Sequence, residues 1–205
     1  PRSTLFPYTT LFRSRVKQFF MVTAVNAAEK CRMEENMKID SLIFDLDGTL
    51  WDSSEGIVAT WALVLENYPE IHKKVTAEEL ASNFGLPLEQ IARNMFPDQP
   101  ESLRQQLMAE CGEKENLYLA EHGGLLYPKL EETLRNLSEK YPLFIVSNCQ
   151  DGYIQSFYSG NHTEKYFKDC ECIGVTGKSK GENIRLVMER NGLKAPEIGR
   201  ASCRE

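Results

Sequence analysis

The fold of this chain is decided by one stretch, Ile43-Phe44-Asp45-Leu46-Asp47-Gly48-Thr49-Leu50-Trp51-Asp52. An apolar segment leads into two carboxylates that stand two residues apart, and in an extended strand such residues point the same way. Asp45 and Asp47 are therefore expected to face one pocket. Gly48 permits a sharp turn, and Thr49 offers a hydroxyl and a backbone N–H to an anion. An ordinary surface Asp-Gly turn does not explain two acids pressed against so apolar a run, so the pattern favours phosphoryl transfer.

Composition bounds the class of protein. The chain has 205 residues, of which 41% are hydrophobic and 26% charged, with a net charge of −6. These values are typical of a globular protein, and they argue against nucleic acid as the main partner because no basic stripe is available for phosphates. We expect no membrane span, since no apolar run is long enough. The six scattered cysteines are interpreted as reduced thiols, which predicts a cytoplasmic location. The oligomeric state is left open.

Hydrophobic periodicity predicts an α/β fold. A buried strand is expected over residues 38–45, and a second apolar strand over 143–146. Helical patterns occupy the region between the two strands. Further helices and a short strand are predicted downstream, with Gly192 as a helix cap. The predicted helices span residues 54–68, 77–84, 87–95, 101–120, 129–140, 152–158 and 181–191, and the short strand spans 172–175. The sequence thus predicts a parallel sheet with an all-helical insert after its first strand.

Two further groups fall where an open α/β sheet places its active site, at the carboxyl ends of strands. Ser147-Asn148 follows the second apolar strand, so its polar groups could hold a phosphoryl oxygen. Lys178 and Lys180 precede a helix N-terminus, where a cation can neutralise phosphate charge. Taken alone, a serine after a strand is usually a turn and a lysine pair is usually solvated. Their order behind the two aspartates strengthens the functional interpretation.

At this point the chain resembles the haloacid dehalogenase (HAD) superfamily of hydrolases over about residues 38–196. Asp45-Leu46-Asp47-Gly48-Thr49 corresponds to its first motif, Ser147 to the second and Lys180, rather than Lys178, to the third. The resemblance implies a Rossmann-like parallel core with a small helical cap. It also implies that Asp45 is the catalytic nucleophile and that Asp47 is the general acid and base. The phosphate-binding residues that it implies are Thr49, Ser147, Asn148 and Lys180. Mg²⁺ would be held by the Asp45 carboxylate and the Asp47 backbone carbonyl.

The same resemblance implies a Mg²⁺-dependent phosphatase acting on small phosphorylated metabolites, with phosphoglycolate as the first candidate. Phe84-Gly85-Leu86-Pro87 resembles the cap loop that reaches the active site in such enzymes, and an ordinary helix break is the alternative. Arg93 and Lys73 either meet a substrate carboxylate or are solvated. Two other functions stay open, a phosphomutase of the β-phosphoglucomutase type and an inactive truncated product.

Both ends of the chain resemble the translation of one short-read sequencing adapter, read on opposite strands. Residues 1–14 and 197–205 are therefore excluded as adapter-derived tails. Residues 15–36 are interpreted as a non-native upstream segment, with Met37 as the natural start. The core is then 37–52 and 124–196, and the cap 53–123. The family's fourth, acidic motif would follow Pro196. Its absence predicts missing last core strands, an exposed edge over residues 38–45, weak Mg²⁺ binding, aggregation and little activity.

Overall fold

The computed structural model of the protein describes residues 39–194 and the backbone of residues 198–201. The predicted adapter-derived segment 1–14, the upstream segment 15–36 and the start at Met37 lie outside the described residues. Residues 197 and 202–205 of the predicted C-terminal tail also lie outside them.

A four-stranded parallel sheet forms the centre of the fold. Its strand order is β5-β4-β1-β6, and a separate antiparallel pair is formed by β2 and β3. The predicted parallel α/β fold is thereby confirmed. The strands are β1 (Ser41–Phe44), β2 (Trp51–Asp52), β3 (Leu125–Leu126), β4 (Leu143–Ser147), β5 (Phe167–Cys172) and β6 (Ile198–Ala201).

The central strands β1 and β4 are apolar apart from one serine each, because both faces of the sheet are covered. On one face, Leu42 and Phe44 of β1 join the large core that also contains Leu143 and Ile145. On the other face, Ile43 packs in a second cluster that contains Phe144, Val146 and Val187. Successive strand side chains point to opposite faces, so one four-residue strand supplies both cores.

The prediction that residues 38–45 form an exposed edge is wrong, whereas the loss of further core strands stays a prediction. Ile198–Ala201, within the segment that the sequence analysis excluded, pairs in parallel with β1, with Ser41 opposite Ile198 and Phe44 opposite Ala201. The physical reason is that β1 offers a row of backbone N–H and C=O groups on the side away from β4, and a short extended segment satisfies them.

The helices that alternate with these strands follow the predicted pattern closely. α8 begins with a capping box in which Ser179 and Glu182 exchange hydrogen bonds, and it ends at Gly192 in the left-handed conformation. The predicted strand over residues 172–175 is wrong, because β5 ends at Cys172 and the next four residues form a helical turn. The helices are α1 (Ser54–Leu65), α2 (Ala77–Asn83), α3 (Leu88–Met95), α4 (Glu101–His122), α5 (Leu130–Ser138), α6 (Tyr153–Asn161), α7 (Ile173–Thr176) and α8 (Lys180–Asn191).

Helices α1 to α4, here called the helical insert, lie between β2 and β3 in the chain. The two segments that join the insert to the sheet are paired with each other, since Trp51 lies opposite Leu126 and Asp52 opposite Leu125. The insert also packs closely on the core. A Cβ atom added to Gly160 of α6 would lie 2.1 Å from the carbonyl oxygen of Leu119 in α4. Only glycine allows this approach of the two helices.

Two further observations concern the class of protein. None of the helices in residues 39–194 has both the length and the apolar character that crossing a bilayer requires. The cysteines that the structure describes are free thiols, and they are Cys111, Cys149, Cys170 and Cys172. The cytoplasmic location stays a prediction.

Candidate active site

The site begins at the end of β1, where Asp45 and Lys180 form an ion pair. Oδ2 of Asp45 lies 2.6 Å from Nζ of Lys180, and the carboxylate is only 4% exposed. Oδ1 of Asp45 accepts a hydrogen bond from the backbone N–H of Leu46 at 2.9 Å. Lys180 is the first residue of α8, whereas Lys178 is exposed in the preceding loop. The structure therefore brings Lys180, and not Lys178, to the first aspartate.

The turn after Asp45 presents the hydroxyl of Thr49. Gly48 has φ = 73°, a conformation that glycine adopts without strain, and its N–H donates to Trp51 O at 3.0 Å. The backbone N–H of Thr49, which the sequence analysis offered to an anion, instead donates to Leu46 O at 3.1 Å. Oγ1 of Thr49 is buried and has no hydrogen-bond partner within the described part of the chain. The hydroxyl alone is thus available for a ligand oxygen.

Asp47 has a different environment, because three neutral groups donate to its Oδ1 atom. These are Trp51 Nε1 at 2.9 Å, Ser53 Oγ at 3.1 Å and Tyr153 OH at 2.9 Å. Burial raises the pKa of Asp47 from 3.8 to about 6, and the Asp45 charge adds to this effect while the three hydrogen bonds oppose it. The two aspartates are therefore unlike. Asp45 is paired with a cation, and Asp47 can carry a proton near neutral pH.

A cavity separates the carboxyl end of the sheet from the helical insert. It has a volume of about 50 Å³, enough for three or four ordered waters or a group of similar size. Asn148 at this edge donates through Nδ2 to the carbonyl oxygen of Gly85 at 2.9 Å, so the predicted cap loop does reach the sheet. The core contributes Asp47, Ser147 and Tyr153 to the lining, and the insert contributes Trp61, Phe84 and Glu115.

Glu115 places a second acid in the cavity, on the side of the insert. It lies in the middle of α4 and is 5% exposed. Its Oε1 accepts a hydrogen bond from Trp61 Nε1, and its Oε2 accepts one from Gln150 Nε2 at 2.9 Å. Burial raises the pKa of Glu115 to about 7, and the charge of Asp47 contributes to the rise. The two donors fix the position of the Glu115 carboxyl group, and neither is a cation that would compensate its charge.

The residues predicted from the motifs come together at one edge of the sheet. Asp45, Asp47 and Thr49 follow β1, Ser147 ends β4, and Lys180 opens α8. The groups that surround Asp47 are not among the residues predicted from the sequence. The indole of Trp51 both packs on Phe157, at 5.0 Å between ring centroids, and donates to Asp47. Tyr153 and Glu115 carry no sequence signal, because neither belongs to a motif and each shares its helix with other residues of the same type.

Mg²⁺ takes oxygen ligands and is commonly held by one or two carboxylates together with water and substrate phosphate. Asp45 supplies a buried carboxylate at the edge where Thr49 leaves a hydroxyl without a partner. No cluster of three or more His, Cys, Asp or Glu side chains suited to a metal occurs in the described residues. The protein donors therefore fit a Mg²⁺ ion that draws its other ligands from water and phosphate.

Comparisons with known proteins agree with this geometry. Residues 42–198 match the family model of haloacid dehalogenase-like hydrolases. The chain is 27% identical over 173 residues to a phosphoglycolate phosphatase from Pectobacterium atrosepticum, covering 81% of this chain and 73% of the relative. Its fold is similar to a predicted phosphoglycolate phosphatase from Haemophilus somnus (TM-score 0.66, 18% identity, 79% and 76% covered). It is also similar to a magnesium-bound HAD-family protein from Bacillus subtilis (TM-score 0.58, 17% identity, 80% and 79% covered).

Proposed function

The chain belongs to the haloacid dehalogenase-like hydrolase family, and we propose that it is a Mg²⁺-dependent phosphatase that hydrolyses small phosphate monoesters through an aspartyl-phosphate on Asp45. The observation that carries the proposal is the pairing of Asp45 with Lys180 at 2.6 Å beside a second, separately held acid. The ammonium group of Lys180 compensates the negative charge of the attacking carboxylate and holds that carboxylate in position.

In the first step, a carboxylate oxygen of Asp45 attacks phosphorus and the bond from phosphorus to the leaving oxygen breaks. Asp47 donates its proton to that leaving oxygen. A carboxyl group with a pKa of about 6 is about one-tenth protonated at pH 7, which suits it to this role. Thr49, Ser147 and Lys180 bind the oxygens of the transferring group, and Lys180 compensates their charge.

In the second step, Asp47 accepts a proton from water, whose oxygen attacks the aspartyl-phosphate. The acyl phosphate bond breaks, inorganic phosphate leaves, and the Asp45 carboxylate is restored. Mg²⁺ would be held by the Asp45 carboxylate and the backbone carbonyl of Asp47, where it would supply further positive charge for the phosphoryl oxygens. The helical insert acts as a cap that excludes water from the cavity around the leaving group.

The test is the release of inorganic phosphate from a panel of small phosphate monoesters by the full chain with Mg²⁺. Phosphoglycolate belongs in the panel because relatives carry its name. We expect release by the wild type, a loss of at least 1,000-fold in Asp45→Asn, and retention in Lys178→Gln. Equal rates for wild type and Asp45→Asn would refute the proposal.

The same assay separates the alternatives. Conversion of a hexose monophosphate into its isomer without phosphate release would indicate a phosphomutase. Absence of any turnover by the wild type would favour the inactive product.

A further inference from the structure

Glu115 is the group that bears on the identity of the substrate. Phosphorus is expected between Asp45, Thr49, Ser147 and Lys180, and the leaving oxygen must meet Asp47. The rest of the leaving group then extends from Asp47 into the cavity, whose far wall is the helical insert. Glu115 lies in that wall, and its charge interacts with that of Asp47.

The ionisable side chains that line the cavity in the described part of the chain are all acids. The titratable side chains that line it are Asp47, Glu115, Cys149 and Tyr153, and none of the lining residues in the described chain is Lys, Arg or His. The two cations considered in the sequence analysis are used elsewhere. Lys73 pairs with Glu79, and Arg93 pairs with Glu89. Neither lines the cavity, so a carboxylate on the leaving group would meet Glu115 without a compensating charge.

We propose that Glu115 makes this site select phosphate monoesters whose leaving group carries a hydrogen-bond donor, a hydroxyl or an ammonium, over those whose leaving group carries a carboxylate. The inference rests on the proposed function. Each carboxylate oxygen of Glu115 already accepts one hydrogen bond and keeps a further lone pair for a ligand donor. The cavity of about 50 Å³ restricts the leaving group to a few non-hydrogen atoms.

The sharpest comparison uses 2-hydroxyethyl phosphate and 2-phosphoglycolate, which have the same number of carbon atoms and differ in whether the second one is an alcohol or a carboxylate. At pH 9, where Glu115 with a pKa of about 7 is almost fully ionised, we expect wild type to favour the alcohol by up to about 100-fold in kcat/KM, because a carboxylate placed beside Glu115 forces it to take up a proton. Glu115→Gln keeps the shape and removes the charge. It should cut the preference to less than about tenfold, chiefly by improving phosphoglycolate.

Glu113→Gln is the matched control, since Glu113 is on the same helix but exposed and outside the cavity. It should leave the preference unchanged. Wild-type preference for phosphoglycolate, or an equal ratio in wild type and Glu115→Gln, would overturn the inference.

Two further measurements test the inference even if the variants hydrolyse the esters slowly or are less stable than wild type. Calorimetric binding of both esters to Asp45→Asn should show the same preference, and its loss in Asp45→Asn/Glu115→Gln. If wild type released no phosphate but this binding preference held, the proposed function would fail and the inference would stand. In wild type, the preference should also weaken as the pH falls from 9 through about 7, where Glu115 gains a proton. Titration of Asp47, Cys149, Tyr153 and the nearby Cys111 affects both esters and largely cancels in the ratio.

Discussion

The hydroxyl of Tyr153 lies 2.9 Å from Oδ1 of Asp47, a residue 106 positions earlier in the chain. The same hydroxyl is 2.8 Å from Oγ of Ser53, which itself donates to Asp47. Burial and the charges of Asp47 and Glu115 raise the pKa of Tyr153, so the phenol keeps its proton. A neutral donor is thus held permanently against the proposed general acid.

Replacing Tyr153 with Phe should shift the pH dependence of hydrolysis. The hydrogen bond favours the ionised form of Asp47, so its loss raises the pKa of Asp47 above about 6, by about one unit. The proposed first step needs Asp47 protonated, so kcat/KM should fall as the pH rises through this pKa. In Tyr153→Phe, that decline should move to higher pH. Tyr158→Phe, on the same helix, is the control, and an unchanged profile in Tyr153→Phe would contradict the prediction.

Replacing Thr49 with Val should weaken phosphate binding without loss of stability. The buried hydroxyl has no partner in the described residues, so an apolar group of the same shape removes an unsatisfied atom. We expect the inhibition constant of inorganic phosphate to rise about tenfold, since a hydrogen bond to a charged ligand is lost. The free energy of unfolding, measured with urea, should stay equal or increase.

Thr60→Val provides the contrast for Thr49. Oγ1 of Thr60 bonds to the carbonyl oxygens of Gly56 and Ile57, so its removal should cost about 1 kcal/mol of stability and leave phosphate inhibition unchanged. Equal effects of the two substitutions on stability, with no change in phosphate inhibition, would show that Thr49 has a structural role only.

Replacing Gly160 with Ala should destabilise the packing of the insert on the core. The added Cβ would meet two backbone groups, at 2.1 Å from Leu119 O and 2.6 Å from Gly123 Cα, and neither can move as a side chain does. We expect a loss of about 1–3 kcal/mol in thermal or urea unfolding. Gly181→Ala is the control, because nothing lies within 4 Å of its added Cβ, and a helical alanine there should add about 0.5–1 kcal/mol. Wild-type stability of Gly160→Ala would contradict the prediction, because the two helices would then move apart without a cost in free energy.

The fold and the motif residues were accessible from the sequence because they depend on local rules. An apolar run ending in Asp-x-Asp-Gly-Thr specifies a strand and its turn, and a lysine before a helix N-terminus specifies where a cation stands. The resemblance to haloacid dehalogenases, drawn from these residues, is confirmed by the family match. The pairing of Asp45 with Lys180 follows from the parallel sheet, which gathers the carboxyl ends of its strands.

The rest depends on contacts that no local pattern encodes. Glu115 lies in a long helix with many acidic residues, and only the packing of α4 against Trp61 and Gln150 separates it from its exposed neighbours. In the same way, only the fold brings the hydroxyl of Tyr153 within hydrogen-bond distance of Asp47. The role of Ile198–Ala201 was missed for another reason, since backbone pairing with β1 needs an extended segment but no particular side chains.

The antiparallel pairing of β2 with β3 has a consequence for how the cavity opens. The two segments that enter and leave the insert pair with each other across Trp51 and Leu126 and form one short β-ribbon. We therefore expect them to move together as one hinge. A rotation of the insert relative to the sheet would bend this ribbon. Because Nε1 of Trp51 also donates a hydrogen bond to Asp47, we expect a change in the angle of the insert to alter the hydrogen bonding of the proposed general acid. Opening of the cavity and the hydrogen bonding of the proposed general acid would then be coupled through one aromatic ring.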